Sequence, residues 1–134
     1  MRVALVSPYS WTYPGGVTRH IESLAGHLRR EGHDARILTP FDPLDDTSAR
    51  MHRGAKPQQR ELTEDIFPLG RTLGFLANGA VSNLSVSPVA VATMREELRR
   101  GGYDVIHVHE PIAPVLSWDV LGSARLPLVG TFHC

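Results

Sequence analysis

Short apolar runs alternate along this chain with stretches whose apolar residues recur at helical intervals. Val3-Ala4-Leu5-Val6 is nearly all apolar, as suits a strand buried on both faces of a parallel sheet. Ser7 to Gly16 is rich in turn formers and aromatics. From Val17 the apolar positions Ile21, Leu24 and Leu28 follow one helix face. Arg29 and Arg30 fall in the last turn, where cations suit the helix dipole, and Gly32 is a natural stop. Ala35-Arg36-Ile37-Leu38, closed by Thr39-Pro40, predicts a second strand. A β-α-β unit of this length implies a right-handed crossover and a parallel sheet.

The middle carries weaker patterning. Phe41 to Arg60 holds Asp42, Asp45, Asp46, Arg50, Arg53 and Lys56 with few apolar positions, and reads as an exposed, mobile connection with solvated charges. Ile66 to Leu69 predicts a short edge strand, because Pro68 is unsuited to a central one. Leu73 to Val86 contains a turn signal at Asn78-Gly79. Ser87-Pro88 then opens a helix through Val89, Ala92, Met94 and Leu98 to Arg100, stopped by Gly101-Gly102. Val105 to His109 predicts a strand, Ala113 to Ala124 a helix and Leu128 to Phe132 a last strand. The alternation predicts an α/β domain: a Rossmann-like parallel sheet with flanking helices.

Composition narrows the class. A length of 134 residues allows one domain, and 42% hydrophobic with 21% charged residues excludes a disordered chain or a disulfide scaffold. Fourteen basic residues balance fourteen acidic ones, so no broad cationic face recruits nucleic acid. The single cysteine, Cys134, can make no internal disulfide, which fits a reducing compartment. No run approaches the roughly 18 apolar residues of a membrane span, and Met1-Arg2 leads into no signal-peptide core. The expectation is a cytoplasmic domain.

In a parallel sheet, ligands gather outside the carboxyl ends of the strands. Three clusters fall there: Pro14-Gly15-Gly16-Val17, His109-Glu110-Pro111 and Thr131-Phe132-His133. Glycines at a helix opening let backbone N–H groups approach an anion, and the helix end adds about half a positive charge. A phosphate is the natural guest of Gly15-Gly16, although two glycines can also merely turn the chain. The spacing matches neither the G-x-G-x-x-G fingerprint nor a P-loop. His107 and His109 lie two apart on a strand and so share a face. With Glu110, His133 and Cys134 they could hold zinc, but no carboxylate or cysteine cluster completes a ligand set, so no metal is assigned. His107 reads as a buried, hydrogen-bonded core residue, and His109 and Glu110 as lining a cleft. Tyr9, Trp11 and Tyr13 are candidates to stack on a sugar or cyclitol ring.

Together, Met1 to Ser10 followed by Pro14-Gly15-Gly16-Val17, Asp104 to Pro111 and Thr131-Phe132-His133 resemble the family 4 retaining glycosyltransferases. The sub-pattern is similar to that of the actinobacterial phosphatidylinositol mannosyltransferases. The resemblance spans the chain except for about residues 41–72. It implies the N-terminal, acceptor-side half of a GT-B fold, incomplete at its C-terminal end, with the donor-binding domain absent. It further implies transfer of a hexose, such as mannose, from a nucleotide-diphosphate sugar (GDP-mannose or a UDP-sugar) to a lipid or small polar acceptor, without a tightly bound cofactor. Carried over by position, Gly15 and Gly16 would meet the donor diphosphate and His133 the transferred sugar. Tyr9, Thr18 and Asn78 would line the acceptor pocket. The whole enzyme would work in the cytoplasm, at the inner face of the plasma membrane, and residues 1–134 alone would be inactive. Two departures leave the acceptor open: Asn83 and Ser85 stand where a basic residue follows the Asn-Gly turn, and Met94 to Arg100 sets three arginines against Glu96 and Glu97 rather than lysines. Two readings from other classes stay open at this level, a non-catalytic flavodoxin-like binding module and a metal-dependent hydrolase using the strand histidines.

Overall fold

A computed structural model describes residues 1–77 and 80–133. The chain runs β1 (Arg2–Val6), α1 (Gly16–Arg30), β2 (Asp34–Thr39), α2 (Asp46–Met51), β3 (Ile66–Pro68), β4 (Leu73–Ala77), β5 (Ala80–Leu84), α3 (Pro88–Arg100), β6 (Val105–His109), α4 (Leu116–Ser123) and β7 (Leu128–Thr131). Five strands form a parallel sheet in the order β3-β2-β1-β6-β7. β4 and β5 pair antiparallel beside it; the Asn78-Gly79 turn signal lies outside the described residues.

The period-2 alternation of β1 sorts the core. Val3 and Leu5 pack with Ile21 and Ala25 of α1, whereas Ala4 and Val6 pack with Ala90 and Met94 of α3 and Leu116 and Val120 of α4. Fully burying each such side chain contributes about 1.5–3 kcal/mol, so both faces must be covered for the sheet to hold. The helices end as the sequence implies. Gly32 and Gly102 adopt φ of +86° and +69°, which L-residues rarely adopt. Ser87 caps α3 by accepting the Ala90 N–H at 3.3 Å. The helix expected from Ala113 starts only at Leu116, because Val115 sits at φ +73°, outside the helical region.

Residues 41–60 are exposed at most positions, Asp46, Arg50, Arg53 and Lys56 among them, as expected, but they are not a merely solvated connection. Asp42 has no exposed surface and Ser48 and His52 are buried. Asp42 accepts hydrogen bonds from Ser10 Oγ at 2.6 Å, the Thr72 N–H at 2.9 Å and Thr72 Oγ1 at 2.7 Å. Thr12 Oγ1 donates to the Asp42 carbonyl at 2.8 Å. His52 donates from Nδ1 to the Ser48 carbonyl at 2.7 Å and turns Nε2 to Thr72 Oγ1 at 2.9 Å. Asp45 caps α2 and is held by both terminal nitrogens of Arg71, which pull its carboxyl well below the usual carboxylate range. A six-residue helix stabilised by polar contacts leaves no apolar period to read.

This network ties the loop after β1 to the segments before α2 and β4. Asp42→Ala strands its buried donors and should cost about 3 kcal/mol of stability, whereas Asp45→Ala, at an exposed cap, should cost clearly less. Thermal unfolding of the two variants checks the ranking; equal shifts would contradict it.

Candidate functional site

Chain order reverses between β1 and β6. From β1 the chain continues outward to β2, and from β6 it continues outward to β7 on the other side. The loops leaving their carboxyl ends therefore part company and open a crevice, the place where such sheets bind ligands.

α1 begins at this crevice. Its N-cap, Gly15, is extended and offers no side-chain hydrogen bond, and the first turn holds no acidic residue. The first-turn N–H groups are left to an outside acceptor and to the positive end of the helix dipole. A Cβ built on Gly15 or Gly16 meets nothing within 4 Å, and neither residue sits in the left-handed region. The backbone does not demand glycine here; the missing side chains keep the approach to the N–H groups open.

Histidines occupy the same crevice. In β6, His107 and His109 follow Val105 on the α1 side of the sheet, while Ile106 and Val108 face α3 and α4. The two rings stack with centroids 4.3 Å apart. Parallel pairing with β7 sets His109 beside Thr131, which brings His133 over it. His109 Nδ1 lies 3.0 Å from His133 Nε2, and His107 Nε2 lies 2.7 Å from Thr131 Oγ1. The His133 N–H donates to Glu110 Oε1. His20 of α1 brings its ring centroid to 4.9 Å from that of His133 and 5.8 Å from that of His109. Burial, reinforced by the neighbouring imidazoles, pushes His109 down to about 3 and moves His107 in the same direction.

The two strand histidines exchange the environments the sequence suggested. His107 is half-buried, whereas His109 has no exposed surface because it lies beneath His133. Glu110 is half-buried and does line a cleft. His20 was missed in the sequence. Its signal is its spacing, four residues after Gly16, which sets it on the same helix face as the glycine opening.

The aromatic loop divides. Trp11 is buried in the α1 side of the core with Arg60 over its ring at 4.4 Å. Tyr13 stacks on His52 at 4.0 Å and donates its hydroxyl to the Ala55 carbonyl at 2.7 Å. Both are committed to packing, so only Tyr9 of the three is free to meet a ligand. Tyr9 lines a mostly apolar cleft of about 510 Å³ with Phe75, Leu84, Glu110, Ile112 and Val115. Burial, with the Glu110 charge adding to it, raises the Tyr9 hydroxyl above its ordinary value. Thr18 is buried on α1 and takes no part in that lining, and Asn78 lies outside the described residues.

The model of glycosyltransferase family 4 matches residues 14–134. The chain belongs to that family. It is 38% identical over 133 residues to the phosphatidyl-myo-inositol mannosyltransferase of Mycobacterium leprae, covering 99% of this chain and 32% of the relative. The protein of that name from Propionibacterium freudenreichii is 32% identical over 133 residues, 99% of this chain and 33% of its own length. A GDP-mannose-dependent alpha-mannosyltransferase of Mycobacterium tuberculosis is 29% identical over 139 residues, again 99% of this chain and 32% of the relative. The chain thus spans about a third of the length of these family relatives. No helix among the described residues is long and apolar enough to cross a membrane.

The electrostatics give a solution test. With its pKa near 3, the His109 ring should stay neutral from pH 8 to pH 5 in nitrogen-15 NMR. Below the ordinary imidazole value the unfolded chain binds a proton that the native His109 refuses, so stability should fall as the pH drops from about 6.5. A His109 titration midpoint near 6.5 would contradict the burial argument.

Proposed function

We propose that residues 1–134 are the acceptor-side domain of a retaining glycosyltransferase that moves a mannosyl group from a nucleotide-diphosphate sugar. The observation that carries this reading is the meeting, at one crevice, of an uncapped glycine-opened helix end with His133. In such a transfer a diphosphate leaves while positive charge develops on the sugar ring. The first-turn N–H groups of α1 stabilise the departing negative charge without a proton or a side chain having to move. His133 hydrogen-bonds the transferred sugar, and its contact with His109 and the Glu110 bond to its N–H hold it in place. Family membership supports the reaction class. The donor read most directly from a relative's name is GDP-mannose.

The acceptor goes to the Tyr9 cleft. Its mainly apolar walls with Tyr9 and Glu110 as polar groups favour a molecule with a hydroxylated head and an apolar part. A phosphatidyl-myo-inositol, which the names of two relatives carry, fits that description, and such an acceptor would bring the whole enzyme to the inner face of the membrane. Nucleotide recognition falls to parts of such an enzyme outside residues 1–134, since these residues match only about a third of the relatives' length.

Three outcomes follow. The purified 134-residue chain should turn over no nucleotide-sugar. In a whole enzyme containing it, His133→Ala should lower kcat at least 100-fold, about 2.7 kcal/mol, with the fold intact by circular dichroism. Gly16→Val should instead raise the donor KM, since the added side chain has room in the free protein and blocks only the ligand. Near-normal kcat for His133→Ala at saturating donor would refute the assignment.

A further inference from the structure

In the sequence no carboxylate or cysteine cluster completes a ligand set with the strand histidines and His133, and one further ligand is wanted. The fold supplies one. His20, His109 and His133 each offer a ring nitrogen, and these nitrogens lie within 4.8 Å of one another. They come from three separate elements of the α1 side of the sheet: the first turns of α1, the end of β6 and the residue two beyond β7. Three imidazoles are a sufficient protein ligand set for a borderline divalent ion, with the fourth position left to water.

Tetrahedral zinc with bonds near 2.0–2.1 Å sets its nitrogens about 3.4 Å apart. His109 and His133 already approach to 3.0 Å, so that pair need only part slightly. His20 is exposed on a helix and can close the remaining gap by a side-chain rotation. Without metal the cluster is under-satisfied. His109 Nε2 is buried with no hydrogen-bond partner, whichever nitrogen carries the ring proton. A buried ring with one orphaned nitrogen loses little by giving its other lone pair to a cation. The same orphan limits affinity, because strong sites pair the second nitrogen of each ligand with an acceptor, a contact typically worth 10–100-fold.

We infer that His20, His109 and His133 form a zinc-class divalent metal site of micromolar affinity at the mouth of the crevice. An ion there takes the His133 lone pair, so the site is suited to inhibition rather than catalysis. That consequence rests on the role proposed for His133; the binding itself does not.

Zinc alone, titrated by calorimetry into the untagged chain, tests the site without any nucleotide-sugar. A Cys134→Ser background removes the thiol. The expected result is one ion per chain with micromolar affinity, weakened at least tenfold by His20→Ala and by His133→Ala. His33→Ala, whose ring meets the N-terminal amine at 3.2 Å, should leave the affinity unchanged. No saturable binding up to about 100 µM, or binding that survives both His20→Ala and His133→Ala, would overturn the inference. Both replaced side chains lie at the surface or partly so, and the circular dichroism spectrum of each variant should match that of the parent chain.

Discussion

The parallel pairing of β1 with β6 is the constraint from which the rest follows. Val3 to Val6 align with Val105 to Val108, so the two strands finish at the same level and release their loops in different directions. Everything with chemical character then gathers within one turn of helix or one loop of that edge. The glycine opening of α1 descends from the end of β1. His109 and Glu110 terminate β6, and β7, held in register beside it, delivers His133 to the same place. Had β6 paired at the far edge of the sheet, the helix end and the histidines would stand several strands apart.

Burial gives the cluster its electrical character. Strand alternation commits His107 and His109 to the α1 side, where water is scarce, and a buried imidazole resists protonation. The crevice therefore combines neutral nitrogen donors with the positive end of a helix dipole. That combination offers a diphosphate the helix end and a sugar hydroxyl the imidazole nitrogens. The opposite wall, built from Tyr9, the β4–β5 pair and the loop after β6, is mostly apolar. One crevice thus offers a polar floor and an apolar wall to two different partners.

The parts of this arrangement legible in the sequence are those written in local periodicity. The runs Val3 to Val6 and Val105 to His109, the helical spacing from Val17 and the Ser87-Pro88 start all act within a few residues of themselves. The order within residues 41–60 escaped because it is held by distant polar partners, with Asp42 bonded to Ser10, 32 residues before it, and to Thr72, 30 residues after it. Trp11 and Tyr13 were ambiguous for the same reason: an aromatic in a loop stacks on a ligand or on its own protein, and only the fold brings Arg60 and His52 beneath these two. His20 lay in plain view on a helix face, but its partners arrive from β6 and β7, nearly ninety residues or more along the chain.

The central claim is that the α1 end and His133 act on one donor molecule. The most direct measurement is a crystal structure of a whole enzyme containing this chain with an intact nucleotide-diphosphate sugar bound. The account predicts a diphosphate oxygen within hydrogen-bonding distance, about 3 Å, of the Gly16 N–H, and a sugar hydroxyl equally near His133. A donor seated with its sugar away from this crevice, leaving Gly16 and His133 facing solvent, would contradict it.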